Sequence, residues 1–523
     1  MCLATKKGWF SYAALVIFEI CAAYALFSGL LSLAGSKKYP YLWYGGAICA
    51  LAAAFLLLYA LLRLIRRLRL HRRLAGDTPA GRITERIIAA AVLAAGAFAR
   101  LLVIAHMPVT PASDYKTYYD VAVLLSQGGL GASAYIAKFP HVIGYPFVLS
   151  LLFRLTGPSV AAGLYLNAAA GLLSAFLTYR IARRLSSRLG GLIALVLAAF
   201  WPSQILYGAV LASEPVFTCL MLLAVWLFVY LFKYPSTLGN TEGSMFLCVI
   251  TGIVLALSAA IRPLSQILLV AAVLSLLTQR VRFDVNERML HGKLSRAACQ
   301  GWFRALVILL VYVLCSGLIS AAISDTIGYK LPGATVSYGY NLMVGVNIDA
   351  KGAWNQQDAE FFDQAFAATD SAEAAHRACI DVALRRIAAD PAGVLNLTME
   401  KFTDLWGNDD YGAYWVSLFL GQQGGLTPER QSVIDTMTRW SDYVYLLGIF
   451  FSALCGLRLV RTKDAGPELA LFLLVIGTVV LHMVLESQNR YHYFLLPVFA
   501  MLSALYISRL YRGLPGKASP DML

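Results

Sequence analysis

The chain has 523 residues, of which 59% are hydrophobic and only 14% charged, and its mean hydropathy is +0.67. A composition this apolar excludes a soluble globular domain and makes the chain an integral membrane protein. Its net charge of +14 does not call for nucleic acid, because the basic residues gather at the ends of apolar runs, where topology and phospholipid contact account for them.

Crossing the hydrocarbon core takes about 20 apolar residues, and runs of that kind lie at 10–34, 42–66, 86–107, 159–182, 190–207, 212–232, 245–261, 263–279, 303–324, 442–460, 467–485 and 491–510. The expected fold class is therefore an all-α polytopic membrane protein with about twelve transmembrane helices. The first run is too long for a signal-peptide core and has no convincing cleavage site, so it reads as a helix. Basic segments 63–86, 180–188, 280–304, 458–463 and 509–517 all fall on one side of a twelve-span chain, together with Lys6, Lys7 and Lys233. The positive-inside rule then puts both termini in the cytoplasm, with Lys37 and Lys38 the one local exception.

This orientation divides the chain into an N-terminal two-helix module with a basic loop (1–80), a catalytic transmembrane core with its first outer loop (81–324, loop 108–158), an extracytoplasmic domain (325–441) and C-terminal transmembrane helices (442–523). The extracytoplasmic segment holds 15 of the chain's 29 Asp and Glu against 8 Lys and Arg. It reads as mostly helical, with Phe361, Phe362, Ala365 and Phe366, then Ile380, Ala383, Leu384 and Ile387, at helical spacing until Asp390-Pro391 stops the pattern. The apolar piece 141–155 is too short to cross, and it predicts a juxtamembrane helix beginning at Gly144-Tyr145-Pro146. Nine cysteines, mostly inside spans, offer no disulfide framework. No phosphate-binding loop, dinucleotide fingerprint or zinc-type Cys/His spacing occurs, and His482 and His492 lack metal pairing and read as structural.

The ionisable residues left over share one depth. Asp114 and Asp120 in the first outer loop, Glu214 in Ala212-Ser213-Glu214-Pro215, Arg262 in Ile261-Arg262-Pro263 and the segment from Glu486 through Arg490 to Tyr493 all fall at the outer boundary. Charged groups there are costly unless they pair or serve a site. Arginines at headgroup level suit a phosphate, and a nearby carboxylate suits a general base toward a hydroxyl or amine. Bland readings compete. Asp114 could cap a helix, Asp120 lie on a solvated face, Glu214 favour a helix start, Arg262 snorkel to headgroups, and Glu486 pair internally with Arg490.

The order of these features resembles the integral-membrane glycosyltransferases of the C-type fold that use polyprenyl-phosphate-linked sugars, a group that includes protein O-mannosyltransferases and the aminoarabinose transferase of lipid A. Ser113-Asp114 with Tyr118, Gly144-Tyr145-Pro146, Thr178-Tyr179-Arg180, Trp201-Pro202, Ser213-Glu214-Pro215, Ile261-Arg262-Pro263 and Arg490-Tyr491 carry it over most of 86–511. The resemblance implies that Asp114 is the catalytic carboxylate and Glu214 the second acid. It further implies that Arg490, with Arg262 and Lys116, meets the donor phosphate, flanked by Tyr491, and that Tyr145 lies on the substrate side. Implied partners are a polyprenyl-phosphate sugar donor, membrane lipids and a protein, lipid or glycan acceptor. A divalent metal ion is compatible with one aspartate, one glutamate and a donor phosphate. The two leading helices and the lack of an adjacent Asp-Glu pair depart from the protein mannosyltransferase pattern. A secondary transporter or a lipid-linked polysaccharide ligase or polymerase is the alternative, although no internal repeat with midplane charges is present.

Overall fold

The computed structural model describes residues 9–34, 63, 78–232, 241–278, 301–462 and 466–513, and among them regular structure is helical throughout. The membrane helices are α1 Trp9–Ala34 and α2 Pro79–His106, then α3 Ser113–Ser126 and α4 Gly144–Thr156 in the first loop, then α5 Val160–Leu185, α6 Arg188–Ala199, α7 Glu214–Phe232, α8 Thr241–Ile261, α9 Ser265–Leu277 and α10 Gly301–Ile327. The hydrophilic segment forms α11 Gly339–Gly345, α12 Gln356–Thr369, α13 Ala372–Ala389, α14 Pro391–Trp406 and α15 Tyr411–Gln422, followed by α16 Pro428–Thr462, α17 Glu468–Val484 and α18 Leu496–Gly513. Shorter turns are named below by residue.

Every expected span among the described residues coincides with a helix, and the run 42–66 lies outside them. By length and apolarity 8 helices qualify as spans, or 9 if the pair Arg188–Ala199 and Pro202–Ala209, bent by 49°, counts as one. The shortfall from twelve has a geometric reason besides that missing run: α9 and α17 are apolar but only 13 and 17 residues long, below the length a perpendicular crossing needs. Burial orders the bundle. In the most apolar 18-residue window of Asn489–Tyr511 83% of residues are buried, whereas in that of Gly301–Ile327 only 11% are, so the former packs inside the bundle and the latter leaves its apolar side chains on the outside.

One polar cluster fixes the end of the bundle away from α11–α15, and a second contact lies within it. Glu85 is buried near the start of α2; it accepts from Tyr179 Oη at 2.6 Å and Arg183 Nη2 at 3.3 Å, and its carboxylate is ion-paired with Arg183 Nε at 2.6 Å and Arg188 Nε at 3.2 Å. Within the bundle, the Trp201-Pro202 break leaves the Ala199 carbonyl without a helical partner, and Arg100 Nη1 donates to it at 2.7 Å. A buried arginine and a freed carbonyl would each be costly in a membrane, and each satisfies the other.

α1 is packed into this frame. It lies against α14, α16 and α17, with Phe18 on Phe472 at 4.7 Å and Tyr24 on Phe402 at 4.8 Å between ring centroids. Association of membrane helices rests on such close packing, so a chain starting at residue 78 is expected to unfold several degrees lower in detergent. An unchanged midpoint in a scanning fluorimetry comparison would make α1 an accessory.

The helical pattern 358–389 is interrupted. Asp370 adopts a left-handed conformation (φ 50°) that ends α12, and Ser371 restarts the chain as the N-cap of α13, its Oγ accepting from Ala374 N. The expected stop at Asp390-Pro391 holds, and Asp390 caps α14 by accepting from Gly393 N at 2.8 Å. Burial alone would raise the Asp358 pKa, yet donors from Arg386, Asn347 and Asn355 hold it below the ordinary value. These ties make α11–α13 one packed unit. The expected juxtamembrane helix is α4, which buries Tyr145, Leu149 and Phe153 and exposes Phe147, Leu151 and Leu155.

Candidate active site

α3 begins at Ser113, which takes a left-handed backbone (φ 49°), behind an Ala112 N-cap that makes no side-chain capping bond. The unusual φ is a strained position of the kind that persists where surrounding contacts hold it. Asp114 therefore does not cap its helix. Its Oδ2 accepts from Arg490 Nη2 at 2.9 Å, across 376 residues of chain, and the side chain stays 43% exposed.

Arg490 is the centre of the cluster. It stands on the turn Asn489–Leu495 and is only 5% exposed. Its Nη1 donates to Tyr115 Oη at 2.6 Å, and its Nε lies 3.9 Å from Glu214 Oε1. Its guanidinium carbon sits 5.0 Å from the Trp415 ring and 5.4 Å from that of Tyr115, distances at which an aromatic face attracts a cation. An internal pair with Glu486 does not form among the ion pairs of this segment; the Glu486 carboxylate accepts from Gln488 at 2.8 Å, and burial raises its pKa.

Glu214 is the first residue of α7 and is buried. Its Oε1 accepts from Arg262 Nη2 at 2.7 Å and from Tyr207 Oη at 3.3 Å, while Arg262 Nε donates to Ser213 Oγ at 3.0 Å. Arg262 thus turns into the protein and does not snorkel to headgroups. Two carboxylates and two guanidiniums meet in one place, and buried polar atoms remain without a hydrogen-bond partner there: Glu214 Oε2, Arg490 Nε and the indole N–H of Trp415. Buried polar atoms left unmet are costly, and an anionic ligand offering several oxygens could engage the two donors.

The remaining sequence candidates divide. Tyr491 lies beside Arg490, its ring 6.0 Å from the guanidinium, and stacks on His482 at 4.9 Å. Tyr145 is fully buried and donates to Asn167 Oδ1 at 2.9 Å; Asn167 in turn donates to the Ala212 carbonyl at 2.9 Å. Tyr145 therefore braces the approach to Glu214 through Asn167, and its hydroxyl is not spent on the charged cluster. The Lys116 ammonium is exposed and pairs with Asp120 one turn along α3, which also gives Asp120 a surface role.

Gly144 explains the Gly-Tyr-Pro spacing. A Cβ there would lie 2.1 Å from the Ala260 carbonyl and 2.8 Å from Ile261 Cα, on the backbone leading into Arg262. Gly144→Ala is expected to displace that backbone at a cost of about 1–3 kcal/mol, lowering the unfolding midpoint. A stable Gly144→Ala protein with unaltered ligand binding would show that the close approach is unimportant.

Several residues at the site were not singled out from sequence. Tyr115 and Tyr207, whose hydroxyls are 2.8 Å apart, link Arg490 to Glu214, and Trp415 covers the guanidinium. His141 stands half-buried nearby; burial, then the Arg262 charge, pushes its pKa down to about 4. The available signals were weak: Tyr115 adjoins Asp114, and Trp415 belongs to an aromatic-rich stretch.

Among the described residues no group of three or more His, Cys, Asp or Glu is arranged to hold a metal ion. The Arg490 guanidinium lies between the two carboxylates, 2.9 Å from Asp114 Oδ2 and 3.9 Å from Glu214 Oε1.

Residues 140–299 match the family described as dolichyl-phosphate-mannose-protein mannosyltransferase. No curated protein gives a significant match. Among solved structures, the Archaeoglobus fulgidus oligosaccharyltransferase in complex with zinc and sulfate is similar at 16% identity and TM-score 0.46, over 80% of this chain and 49% of its own. The archaeal oligosaccharyltransferase AglB from the same organism, with an inhibitory peptide and a dolichol-phosphate, gives 14% identity and TM-score 0.45 over 83% of this chain and 53% of its own. ArnT from Cupriavidus metallidurans bound to undecaprenyl phosphate gives 14% identity and TM-score 0.30 over 83% and 79%. The chain spans about half the length of the archaeal proteins. Residues 140–299, which carry Tyr145, Glu214 and Arg262, therefore match the sequence pattern of the dolichyl-phosphate-mannose-protein mannosyltransferases, and over those residues the resemblance to the protein mannosyltransferases read from the motifs is borne out.

Proposed function

We propose that this chain is a membrane glycosyltransferase that moves a sugar from a polyprenyl-phosphate carrier to an acceptor on the outer face, with inversion at the anomeric carbon. The observation that carries the reading is the cluster itself: a half-exposed carboxylate, Asp114, bonded to the buried guanidinium of Arg490, with Arg262 joined to the same cluster through Glu214, at the end of the bundle next to α11–α15.

Each group has a distinct task. Asp114 is open enough to accept the proton of an acceptor hydroxyl or amine as that atom bonds to the anomeric carbon. The bond from that carbon to the phosphate oxygen breaks, and its electron pair leaves with the polyprenyl phosphate. Arg490 and Arg262 meet the charge that grows on the departing phosphate. Glu214 is buried and held by Arg262, which suits it to fixing the two guanidiniums. It is poorly placed as a nucleophile, so one displacement with inversion is the simpler course. The exposed apolar face of α4 offers the polyprenyl tail a surface beside the site.

The test is donor choice. Purified protein is expected to release or transfer sugar from polyprenyl monophosphate sugars and to leave lipid diphosphate oligosaccharides untouched. The reverse preference would establish a polysaccharide ligase or polymerase, and no use of either donor, with uptake of a solute in proteoliposomes, would establish a transporter.

A further inference from the structure

Arg490 depends on a short turn, Asn489–Leu495, that has no α-helical ladder of its own to hold it. Two neighbouring carboxylates grip that turn on either side of Arg490. Asn489 Nδ2 donates to Asp410 Oδ1 at 2.8 Å, and His492 Nε2 lies 3.0 Å from Asp409 Oδ1. We propose that the Asn408-Asp409-Asp410 segment, between α14 and α15, is the positioning element for Arg490. It sets where the guanidinium meets the donor phosphate. This inference rests on the proposed glycosyl transfer and names residues that the reading above leaves without a task.

Asp409 is itself fixed from several directions. Its Oδ2 accepts from Trp201 Nε1 at 2.7 Å, Ser203 Oγ at 2.7 Å and Ser441 Oγ at 2.6 Å, and its own backbone N–H donates to Asp442 Oδ1 at 2.9 Å. Asp409 and His492 have fully buried side chains, and the His492 ring stacks on Tyr445 at 5.2 Å. One carboxylate thus joins the Trp201-Pro202 break, α16 and the Arg490 turn. A buried charge with this many donors is rigid, and rigidity is what a phosphate-binding guanidinium needs from its support. Asp410 is the softer of the two grips, since it is partly exposed and among the described residues its carboxylate takes one side-chain hydrogen bond, from Asn489.

The chemistry of the two carboxylates selects the variants. Asp409→Asn can keep its oxygen toward Trp201 only by turning its N–H₂ to His492 Nε2 and fixing that ring's tautomer, so it disturbs a fully buried hub shared by several elements and is a poor probe. Asp410→Ala and Asn489→Ala remove one partly exposed hydrogen bond and leave the Asp409 hub intact. Asp410→Asn keeps an acceptor oxygen for Asn489 and serves as the conservative rescue.

The experiment measures binding of undecaprenyl phosphate to full-length protein in detergent, beside unfolding midpoints, for wild type, Asp410→Ala, Asn489→Ala, the double variant, Asp410→Asn and Arg490→Ala. Wild type is expected to bind, and Arg490→Ala to lose binding. Each single alanine variant is expected to bind roughly 3- to 10-fold more weakly, as the loss of one hydrogen bond allows, with the double variant no weaker than either single one. Asp410→Asn is expected to bind as wild type does, with all midpoints except that of Arg490→Ala close together. Wild-type binding that needs Arg490 but is indifferent to Asp410 and Asn489, or additive losses in the double variant, would overturn the positioning role and leave the proposed function standing. No wild-type binding of the lipid phosphate would overturn both.

Discussion

Asp114→Asn is expected to reduce the rate of sugar transfer by about 10²- to 10⁴-fold, the range that removal of a general base produces, while donor affinity changes by less than about tenfold. The asparagine keeps an oxygen that can accept from Arg490 Nη2, which bonds Asp114 at 2.9 Å, so the guanidinium stays close to its place. What is lost is a group able to take the acceptor's proton. Single-turnover transfer and donor binding, measured on the same preparation, separate the two effects. Full activity in Asp114→Asn would return the residue to a purely electrostatic partner of Arg490.

Arg490 substitutions are expected to fail in the opposite manner. Arg490→Ala removes the donor to Tyr115 Oη and the cation between Asp114 and Glu214, which leaves the buried Glu214 to its pairing with Arg262 at 2.7 Å. Asp114 is 43% exposed and Glu214 is not hydrogen-bonded to Arg490, so the cost stays below that of a fully buried pair, about 1–3 kcal/mol, and both donor binding and the unfolding midpoint should drop. Arg490→Lys should rescue little. An ammonium is a single point, whereas this guanidinium donates from two nitrogens to Asp114 and Tyr115 and lies over the Trp415 ring. A lysine variant with wild-type affinity would mean that charge alone is required.

How far the molecule could be read from its sequence follows from the range of each signal. Apolar runs report membrane helices because crossing needs a fixed length of contiguous residues, and each described run proved helical. Length misleads where α9 and α17 are short and where the chain bends by 49° at Trp201-Pro202. Local pattern also missed the break at Asp370, because Phe366 ends one apolar stripe just where Ala372 begins another, and a single left-handed residue carries the join. Asp114, Glu214, Arg262 and Arg490 were legible because a charge at the membrane boundary is costly without a partner, even when the partner is hundreds of residues away. The pairings were not legible. Nothing local tells that Arg490 reaches Asp114 and leaves Glu486 aside, or that Asp409 gathers Trp201, Ser441 and His492 from three distant segments. Tyr145 was read from its neighbours in the Gly-Tyr-Pro motif, and its hydroxyl serves the backbone ahead of Glu214 through Asn167.

The most direct test is the sidedness of transfer by the purified protein in proteoliposomes whose orientation has been established by protease access to the N-terminus. A polyprenyl-monophosphate sugar and a panel of acceptors are supplied with the acceptors confined to one side at a time. Transfer only when acceptors are on the side opposite the termini, together with its loss in Asp114→Asn, is the predicted result. Transfer from the side of the termini, or undiminished transfer in the variant, would contradict a catalytic site at the Asp114–Arg490 pair on the outer face.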